Sequence, residues 1–254
     1  MLEIDNIGVS FGGVHALRAV TFTAEANHIT SVVGPNGAGK TTLFNVVTGF
    51  QKADTGKVVF DSHDVTGWRP SRIASTGLVR TFQKTEVFSG LPVERAVEIG
   101  TLCGRNFPIW QTIWPGNIRR VRETSAGETA AILQTCGLNH LAGKNGSALS
   151  YGEQRILEIA LALAARPRLL MLDEPASGLN PTEARILGDL ITRIRADGIG
   201  IVLIEHNMKL VMRISDHIVV LHHGEKIAEG DPNSVASNQR VIDAYLGGNS
   251  LASA

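Results

Sequence analysis

The chain has 254 residues, of which 43% are hydrophobic and 19% charged, a balance typical of a folded globular protein rather than a disordered one. Its 24 basic residues equal its 24 acidic residues, which argues against a nucleic-acid-binding protein because such proteins need an excess of positive charge. The two cysteines, Cys103 and Cys136, lack metal-binding spacing, and the sequence indicates no disulfide framework.

A membrane-spanning segment is not expected from the sequence. The apolar stretch 156–165 is interrupted by Glu158 and followed by Arg166-Pro167, so it is too short to cross a bilayer. The first residues carry acids instead of a basic region and an apolar block, so no secretory signal is visible. If the protein serves a membrane, we expect another chain to provide the membrane-spanning part.

Alternating and continuous apolar patterns predict two kinds of strand. Alternation typical of antiparallel strands occurs in segments 2–9, 20–24 and 57–61. Continuous β-branched and aliphatic runs typical of buried parallel strands occur at 29–33, 169–172 and 200–204. Helical patterns lie between these runs, at 40–47 and 181–195. The sequence therefore predicts an α/β fold with an N-terminal antiparallel β-subdomain beside a parallel sheet.

Residues 87–149 have a different character, because strand patterns give way to helical stretches at 93–100 and 119–136. We interpret this region as an inserted helical subdomain. The tail has a helix start at Asp231-Pro232 and a helix stop at Gly247-Gly248. The predicted division is an α/β core with the antiparallel β-subdomain at 1–86 and 159–235, a helical subdomain at 87–158, and a C-terminal helix and tail at 236–254.

The segment from Gly34 to Thr41 reads Gly-Pro-Asn-Gly-Ala-Gly-Lys-Thr and fits the phosphate-binding loop pattern, between a predicted strand and a predicted helix. Its glycines let backbone N–H groups turn toward phosphates, and the helix adds the positive end of its dipole. We expect Lys40 to reach the β- and γ-phosphates of ATP and the Thr41 hydroxyl to bind Mg²⁺. The alternative is a glycine-rich turn without a ligand. The motif predicts a P-loop NTPase (RecA-like) core.

Two adjacent carboxylates, Asp173 and Glu174, follow the apolar run Leu-Leu-Met-Leu. Two acids at one strand end repel each other unless a cation lies nearby, which favours Asp173 as a second Mg²⁺ ligand. Glu174 is the candidate general base for the water that attacks the γ-phosphate. The alternative for Glu174 is an acid at a helix start.

Ser150 and Glu153 have the spacing of a capping box, so Leu-Ser-Tyr-Gly-Glu-Gln has a purely structural explanation as a helix start. The functional alternative is an anion site formed by the serine hydroxyl, Gly152 and the exposed helix amides. Because the chain already has one phosphate loop, a second anion site indicates that ATP is shared between two subunits.

His206 follows the run 200–204, where it could contact the γ-phosphate, although a lone histidine is more often a packed or surface residue. Gln83 lies in Arg80-Thr-Phe-Gln, where the core meets the helical insert. Alone, Gln83 carries no functional signal.

Together and in this order, the motifs resemble the ATPase subunit of ABC transporters over residues 2–246. The resemblance implies that ATP is bound by Walker A residues Asn36, Gly37, Gly39, Lys40, Thr41 and Thr42. It implies Mg²⁺ ligation by Thr41, Gln83 and Asp173, and catalysis by Glu174, His206 and Gln83. It also implies that Phe11 stacks on adenine; the alternative for Phe11 is packing in the core.

The same resemblance assigns Ser150, Gly152 and Glu153 to the signature sequence, which binds the ATP of a partner subunit. Tyr151 and Glu153 depart from the common Leu-Ser-Gly-Gly-Gln form. Residues 177–180, Ser-Gly-Leu-Asn, match the D-loop, and His206 matches the switch histidine.

Several local sequences resemble the ATPases of branched-chain amino acid importers, among them Arg80-Thr-Phe-Gln, Ile-Glu-His-Asn and the Ala-Tyr-Leu-Gly ending. Related ATPases for urea import and lipopolysaccharide export share part of this pattern. ABC ATPases that act on DNA or ribosomes usually carry a coiled coil or two cassettes, which this chain lacks.

The resemblance to the importer ATPases implies three kinds of partner: permease subunits, a second ATPase subunit, and an extracytoplasmic binding protein that acts indirectly. It implies no nucleic-acid partner, and a peripheral location on the cytoplasmic face of the inner membrane.

The aromatic segment 106–116 contains Phe107, Trp110 and Trp114. These side chains either fill the core of the helical subdomain or form an exposed patch for a permease or membrane surface.

Overall fold

The computed structural model describes residues 1–81, 90–104 and 115–246, without the side chains of 115–122 and 246. Gln83 and the aromatic side chains of 106–116 lie outside the described residues, so the predictions made for them stay predictions.

The described chain contains strands and helices at nearly all the predicted places. In chain order the strands are β1 (Leu2–Phe11), β2 (Val14–Ala24), β3 (Ile29–Val33), β4 (Thr55–Phe60), β5 (His63–Asp64), β6 (Leu78–Arg80), β7 (Leu169–Asp173), β8 (Gly200–Ile204), β9 (His217–His222) and β10 (Glu225–Gly230). The helices are α1 (Lys40–Val47), α2 (Pro70–Ser75), α3 (Val93–Cys103), α4 (Pro115–Cys136), α5 (Tyr151–Ala164), α6 (Pro181–Ala196), α7 (Met208–Ile214), α8 (Pro232–Ala236) and α9 (Gln239–Leu246). The predicted α/β class is confirmed.

Two sheets form the framework. One has six strands in the order β10-β9-β3-β8-β7-β6, and the other has four strands in the order β2-β1-β4-β5. In the larger sheet, β9, β3, β8, β7 and β6 are parallel and β10 pairs antiparallel with β9. The smaller sheet is antiparallel throughout. The predicted antiparallel subdomain beside a parallel sheet is therefore present.

Each face of the parallel sheet has its own apolar layer, because successive residues of a strand point to opposite faces. In β7, Leu169 and Met171 pack with α1 and the antiparallel sheet. Leu170 and Leu172 pack instead with α3, α5 and α6. All five residues of β3 and of β8 are buried, as expected for strands covered on both faces.

The helical region lies between β6 and β7 in chain order, where the insertion is expected. Buried residues of α3 and α5 share one apolar cluster with the parallel sheet. Helix α5 runs without interruption across residue 158, the expected boundary of the insert. The division into three units stays a prediction.

The tail differs from the single helix predicted from Asp231-Pro232 onward. Asp231 caps α8 as expected, with its carboxylate accepting from the N–H groups of Asn233 and Ser234. The helix then ends at Ala236, and α9 begins at Gln239. The Ser237 N–H group still donates to the Asn233 carbonyl oxygen, and the Asn238 side chain accepts from the Arg240 N–H group, so Asn238 caps the start of α9.

Within the described ranges, no helix combines the length and the apolar composition that crossing a bilayer requires.

The two cysteines lie in opposite environments, which predicts different thiol reactivity. Cys103 is exposed, whereas burial raises the pKa of Cys136 to about 12. Because the thiolate is the reactive form, we expect only Cys103 to react rapidly with a disulfide reagent at neutral pH in the folded chain. A colorimetric thiol titration should count one fast thiol, and Cys103→Ser should remove it. Two equally fast thiols would contradict the packing of Cys136.

Candidate functional site

The parallel strands bring the predicted site residues to one edge of the sheet. Val32 and Asp173 are both register partners of Ile204, so β3 and β7 end on either side of the end of β8. The glycine-rich loop follows β3, His206 follows β8 and Glu174 follows β7. The carboxyl ends of parallel strands are where open α/β sheets bind ligands.

The glycine-rich loop has a backbone that other residues would strain. Gly37 and Gly39 have φ values of 80° and 99°. A Cβ on Gly39 would lie 2.5 Å from the carbonyl oxygen of Ala16 in β2, and one on Gly224 would lie 2.7 Å from the same atom. Gly224 also donates its N–H group to Ala38 of the loop. Three backbone segments therefore meet without intervening side chains, and they hold the loop in place.

Helix α1 begins directly after this loop and presents its N-terminus to the site. Gly39 occupies the N-cap position and no side chain caps the helix. The first N–H groups of a helix lack intrahelical partners and carry the positive end of its dipole. This geometry suits a phosphate group. Thr41 is exposed beside these amides, and Thr42 is partly buried.

Lys40 extends along the loop, where its Nζ donates to the carbonyl oxygens of Gly34 at 2.7 Å and Pro35 at 2.9 Å. The residue is buried. Burial lowers the pKa of Lys40, and the negative charges of Glu174 and Asp173 partly oppose that effect. A buried ammonium group that is disfavoured by desolvation gains from a nearby anion, so Lys40 is suited to bind a phosphate group.

Asp173 forms a buried ion pair with Arg80 at the end of β6. The Nη2 of Arg80 lies 2.5 Å from Oδ2 of Asp173, and the two side chains are 11% and 8% exposed. Arg80 also donates through Nη1 to Oδ1 of Asn45 in α1, at 2.8 Å. One guanidinium group thus connects the acid after β7 to the helix that follows the glycine-rich loop.

Glu174 and His206 face each other at the ends of β7 and β8. His206 Nδ1 lies 3.8 Å from Oε2 of Glu174, and both side chains are substantially exposed. Glu174 has a φ of 47°, an uncommon conformation for a residue with a side chain, and its N–H group donates to Ile204 O at 2.9 Å. Such strained residues occur often at functional sites.

The signature region has the geometry of a helix start. Ser150 Oγ accepts from the Glu153 N–H group, and the Glu153 carboxylate accepts from the Ser150 N–H group, which completes a capping box. These contacts with Ser150 lower the pKa of Glu153, chiefly through the backbone N–H group. A Cβ on Gly152 would lie 2.9 Å from the Glu183 carboxylate. The structural reading of Ser150 and Glu153 is therefore satisfied within one chain, and their role toward a partner stays a prediction.

Phe11 is 50% exposed at the end of β1, beside the Gly12-Gly13 turn that leads into β2. Both turn glycines have positive φ, as a two-residue hairpin requires. The core alternative for Phe11 is wrong, because half of its surface is accessible. Stacking on adenine stays a prediction. Asn36 and Gly37 are likewise exposed, at the tip of the glycine-rich loop.

Two charged residues that matter here were not singled out from the sequence. Arg80 was noted only as part of a local pattern, and Glu205 only as a neighbour of His206. Glu205 is completely buried and accepts hydrogen bonds from three backbone N–H groups, those of Ala176, His206 and Asn207. The available signal was a charged residue directly at the end of an apolar strand.

The site has the features of a P-loop NTPase. These are an apolar parallel sheet, a glycine-rich loop that leads from β3 to an uncapped helix, and acids at the end of β7, two strands away in the same sheet. The sequence model of the family described as "ABC transporter" matches residues 17–177. A second model, described as "Branched-chain amino acid ATP-binding cassette transporter", matches residues 225–249.

Curated relatives match along nearly the whole chain. The chain is 40% identical to the high-affinity branched-chain amino acid transport ATP-binding protein BraF of Pseudomonas aeruginosa, covering 97% of this chain and 98% of that protein. It is 39% identical to LivG of Escherichia coli, which has the same description, over 97% of this chain and 98% of LivG.

A solved structure shares the fold at similar coverage. The ADP conformation of an ATP-binding cassette of an ABC transporter has a TM-score of 0.85 and 32% identity, covering 97% of this chain and 98% of that one. The chain therefore belongs to the ABC transporter family of ATP-binding cassettes. It binds and hydrolyses ATP to drive transport, in a complex that contains membrane-spanning permease subunits and a dimer of ATPase subunits.

The ion pair between Arg80 and Asp173 predicts a measurable contribution to stability. Arg80→Met should lower the free energy of unfolding by about 3 kcal/mol, because Asp173 would keep a buried charge without its guanidinium partner. Arg80→Met combined with Asp173→Leu should recover most of the loss, and chemical denaturation without Mg²⁺ measures both.

Arg185→Met is the matched control, because its ion pair with Asp189 is more than half exposed. An exposed pair contributes about 1 kcal/mol or less, so this variant should unfold nearly as the unaltered chain does. If Arg80→Met and Arg185→Met lowered the free energy of unfolding by the same amount, the ion pair between Arg80 and Asp173 would contribute no more to stability than an exposed pair.

Proposed function

We propose that this chain is the ATPase of an importer for branched-chain amino acids, and that its ATP site is the strand-end site described above. The observation that carries the proposal is the juxtaposition of a buried Lys40 and an uncapped α1 N-terminus with Asp173, Glu174 and His206 at adjoining strand ends. A structural turn has no need of a buried ammonium group beside two acids.

ATP binding depends first on the loop and α1. The N–H groups of Gly37, Gly39 and the first turn of α1 would donate to phosphate oxygens, and Lys40 would exchange its bonds to loop carbonyls for bonds to the β- and γ-phosphates. Asn36, Thr41 and Thr42 lie on the same loop and helix and would add polar contacts. Phe11 is exposed and free to stack on adenine.

Hydrolysis then requires a base and a means of holding the γ-phosphate. Glu174 accepts a proton from water as the water oxygen bonds to the γ-phosphorus, and the bond between that phosphorus and the bridging oxygen breaks to release ADP. The His206 ring lies 3.8 Å from the Glu174 carboxylate. It would contact the γ-phosphate and keep it correctly placed relative to Glu174. Gln83 is proposed to join them from the segment after β6.

The donor set fits Mg²⁺ that arrives with the nucleotide. Among the residues the structure describes, no group of three or more His, Cys, Asp or Glu side chains could hold a metal ion. Thr41 and Asp173 supply oxygen atoms, which Mg²⁺ prefers, and Gln83 would add a third. When bound, Mg²⁺ neutralises charge on the β- and γ-phosphates.

The proposed partner subunits rest on the resemblance to the ATPase subunits of ABC transporters. Ser150, Gly152 and Glu153 at the start of α5 are proposed to face the ATP held by a second ATPase subunit. Closure of that dimer around ATP would drive the permease subunits between their two states. An extracytoplasmic binding protein would deliver the cargo, and this chain would sit peripherally on the cytoplasmic face of the inner membrane.

The branched-chain assignment is supported by the similarity to BraF and LivG and by the match of the C-terminal family model at 225–249. Selection among leucine, isoleucine and valine is proposed to reside in the permease and the binding protein, because the residues proposed here act on ATP.

The ATP site is tested by separating binding from hydrolysis. Lys40→Ala should abolish ATP binding in calorimetry, whereas Glu174→Gln should keep binding and lower phosphate release by about 10²- to 10⁴-fold through loss of the base. Lys57→Ala, which removes an exposed lysine of the antiparallel sheet, is the control and should change neither. Unchanged ATP binding by Lys40→Ala would refute the site.

The cargo is tested in the native host. Deleting the gene should abolish most uptake of labelled leucine, isoleucine and valine, and the unaltered gene should restore it while the Glu174→Gln gene should not. Labelled urea and outer-membrane lipid composition are followed in parallel. Loss of urea uptake or a lipid defect with normal leucine uptake would reject the amino-acid assignment and leave the ATPase assignment intact.

A further inference from the structure

Glu205 is a completely buried acid whose carboxylate bridges two segments of the site. Its Oε1 accepts from the Ala176 N–H group at 2.7 Å, immediately before the D-loop at 177–180. Its Oε2 accepts from the N–H groups of His206 at 3.0 Å and Asn207 at 3.1 Å. All three donors are backbone groups, so the carboxylate fixes main-chain positions and leaves the His206 ring free to move.

The bridged segments are the turn that carries the switch histidine and the entrance to the D-loop. The first residue of the D-loop is also held, because Tyr151 donates its hydroxyl to Ser177 O at 3.1 Å. A continuous path of hydrogen bonds thus runs from the His206 backbone through Glu205 and residues 176–177 to the start of α5, the signature region.

A purely local function does not require a side chain of this length. An aspartate at this position could accept from the N–H group two residues later, as Asx turns do. Only the additional methylene of glutamate brings the second oxygen to Ala176, which is 29 residues away in sequence. The length of Glu205 is therefore explained by the bridge and not by the turn alone.

We propose that Glu205 is a positioning residue that clamps the switch-histidine turn to the D-loop, so that His206 and the D-loop move as one unit during ATP hydrolysis. The inference rests on the proposed function, because it acts through His206. A carboxylate is the suitable group, since both oxygens accept and neither donates. Glutamine offers a single acceptor oxygen, and its amide group would place a donor against a backbone N–H group.

Two variants test the clamp in the full-length chain. Glu205→Asp keeps the carboxylate and the local turn but withdraws the oxygen from Ala176; Glu205→Gln keeps the length but can accept on only one side. Each should lower kcat for phosphate release by about 10- to 100-fold, because small misplacements of catalytic groups cost that much. The Kd for ATP, measured by calorimetry, should stay within about twofold, since the clamp does not touch the phosphate loop.

A double variant separates positioning from general destabilisation. If Glu205 acts through His206, His206→Ala combined with Glu205→Asp should hydrolyse ATP no more slowly than the slower single variant, whereas independent effects would multiply. Asp216→Asn is the matched control: its carboxylate accepts from the Ile29 N–H group at 2.9 Å, at the opposite end of the sheet. It should lower the melting temperature without this fall in kcat.

The outcomes distinguish the clamp from the proposed function. If His206→Ala slows hydrolysis but both Glu205 variants retain full kcat, or if the two losses multiply, the clamp is rejected and the proposed function stands. If His206→Ala leaves hydrolysis unchanged, the role of the histidine fails and the clamp fails with it. A fall in kcat that Asp216→Asn reproduces at the same loss of melting temperature would also reject the clamp.

Discussion

The site depends on the parallel pairing of β3, β8 and β7, which ends three chain segments side by side. Parallel strands buried on both faces carry almost no polar side chains, so polar groups collect where the strands stop. Here those groups include Lys40, Asp173, Glu174 and Glu205, with charges of both signs within a few residues of the sheet edge. Were β7 shifted by one residue, its apolar side chains would exchange faces and its acids would leave their partners.

Burial decides how each charge at this edge is balanced. Asp173 has a guanidinium partner and Glu205 has three amide donors, so both are compensated within the chain. Lys40 donates to carbonyl oxygens of its own loop, and burial lowers its pKa against the partly opposing charges of Glu174 and Asp173. The protein therefore keeps one cation poorly solvated while it stabilises the acids around it. The asymmetry favours an incoming anion over an incoming cation, and it agrees with a metal ion that binds together with phosphate.

The parts of the fold and site that follow from local patterns could be predicted from the sequence. The bounds 29–33, 40–47 and 200–204 agree with β3, α1 and β8, because the two strands are β-branched and aliphatic runs and the helix has a helical pattern of apolar residues. The tail was predicted less well: α8 and α9 replace the one helix expected, and the Asn238 side chain caps the second by accepting from the Arg240 N–H group. An asparagine can cap a new helix or lie within a longer one, and periodicity does not distinguish the two.

Contacts between distant segments could not be predicted, even where the residues were in view. Arg80 and Asp173 are 93 residues apart, and Glu205 and Ala176 are 29 apart, so neither partner can be identified without the strand order. At the capping box of Ser150 the contacts could be predicted but the function could not. Its spacing was sufficient to predict both hydrogen bonds, yet the same geometry fits a helix start and an anion site. Local geometry fixed the contacts there but left the role open.

The turn at His223-Gly224 lies at the surface, and this position suggests it as a site for inserting a reporter domain or an epitope. His223 is exposed, and hairpin turns usually accept extra residues. Gly224, however, is buried against Ala16 and binds Ala38 of the phosphate loop through its N–H group. A graft there would separate the antiparallel sheet from the loop it supports. The frame that holds the nucleotide therefore extends to a hairpin nearly two hundred residues away, and labels belong elsewhere on the surface.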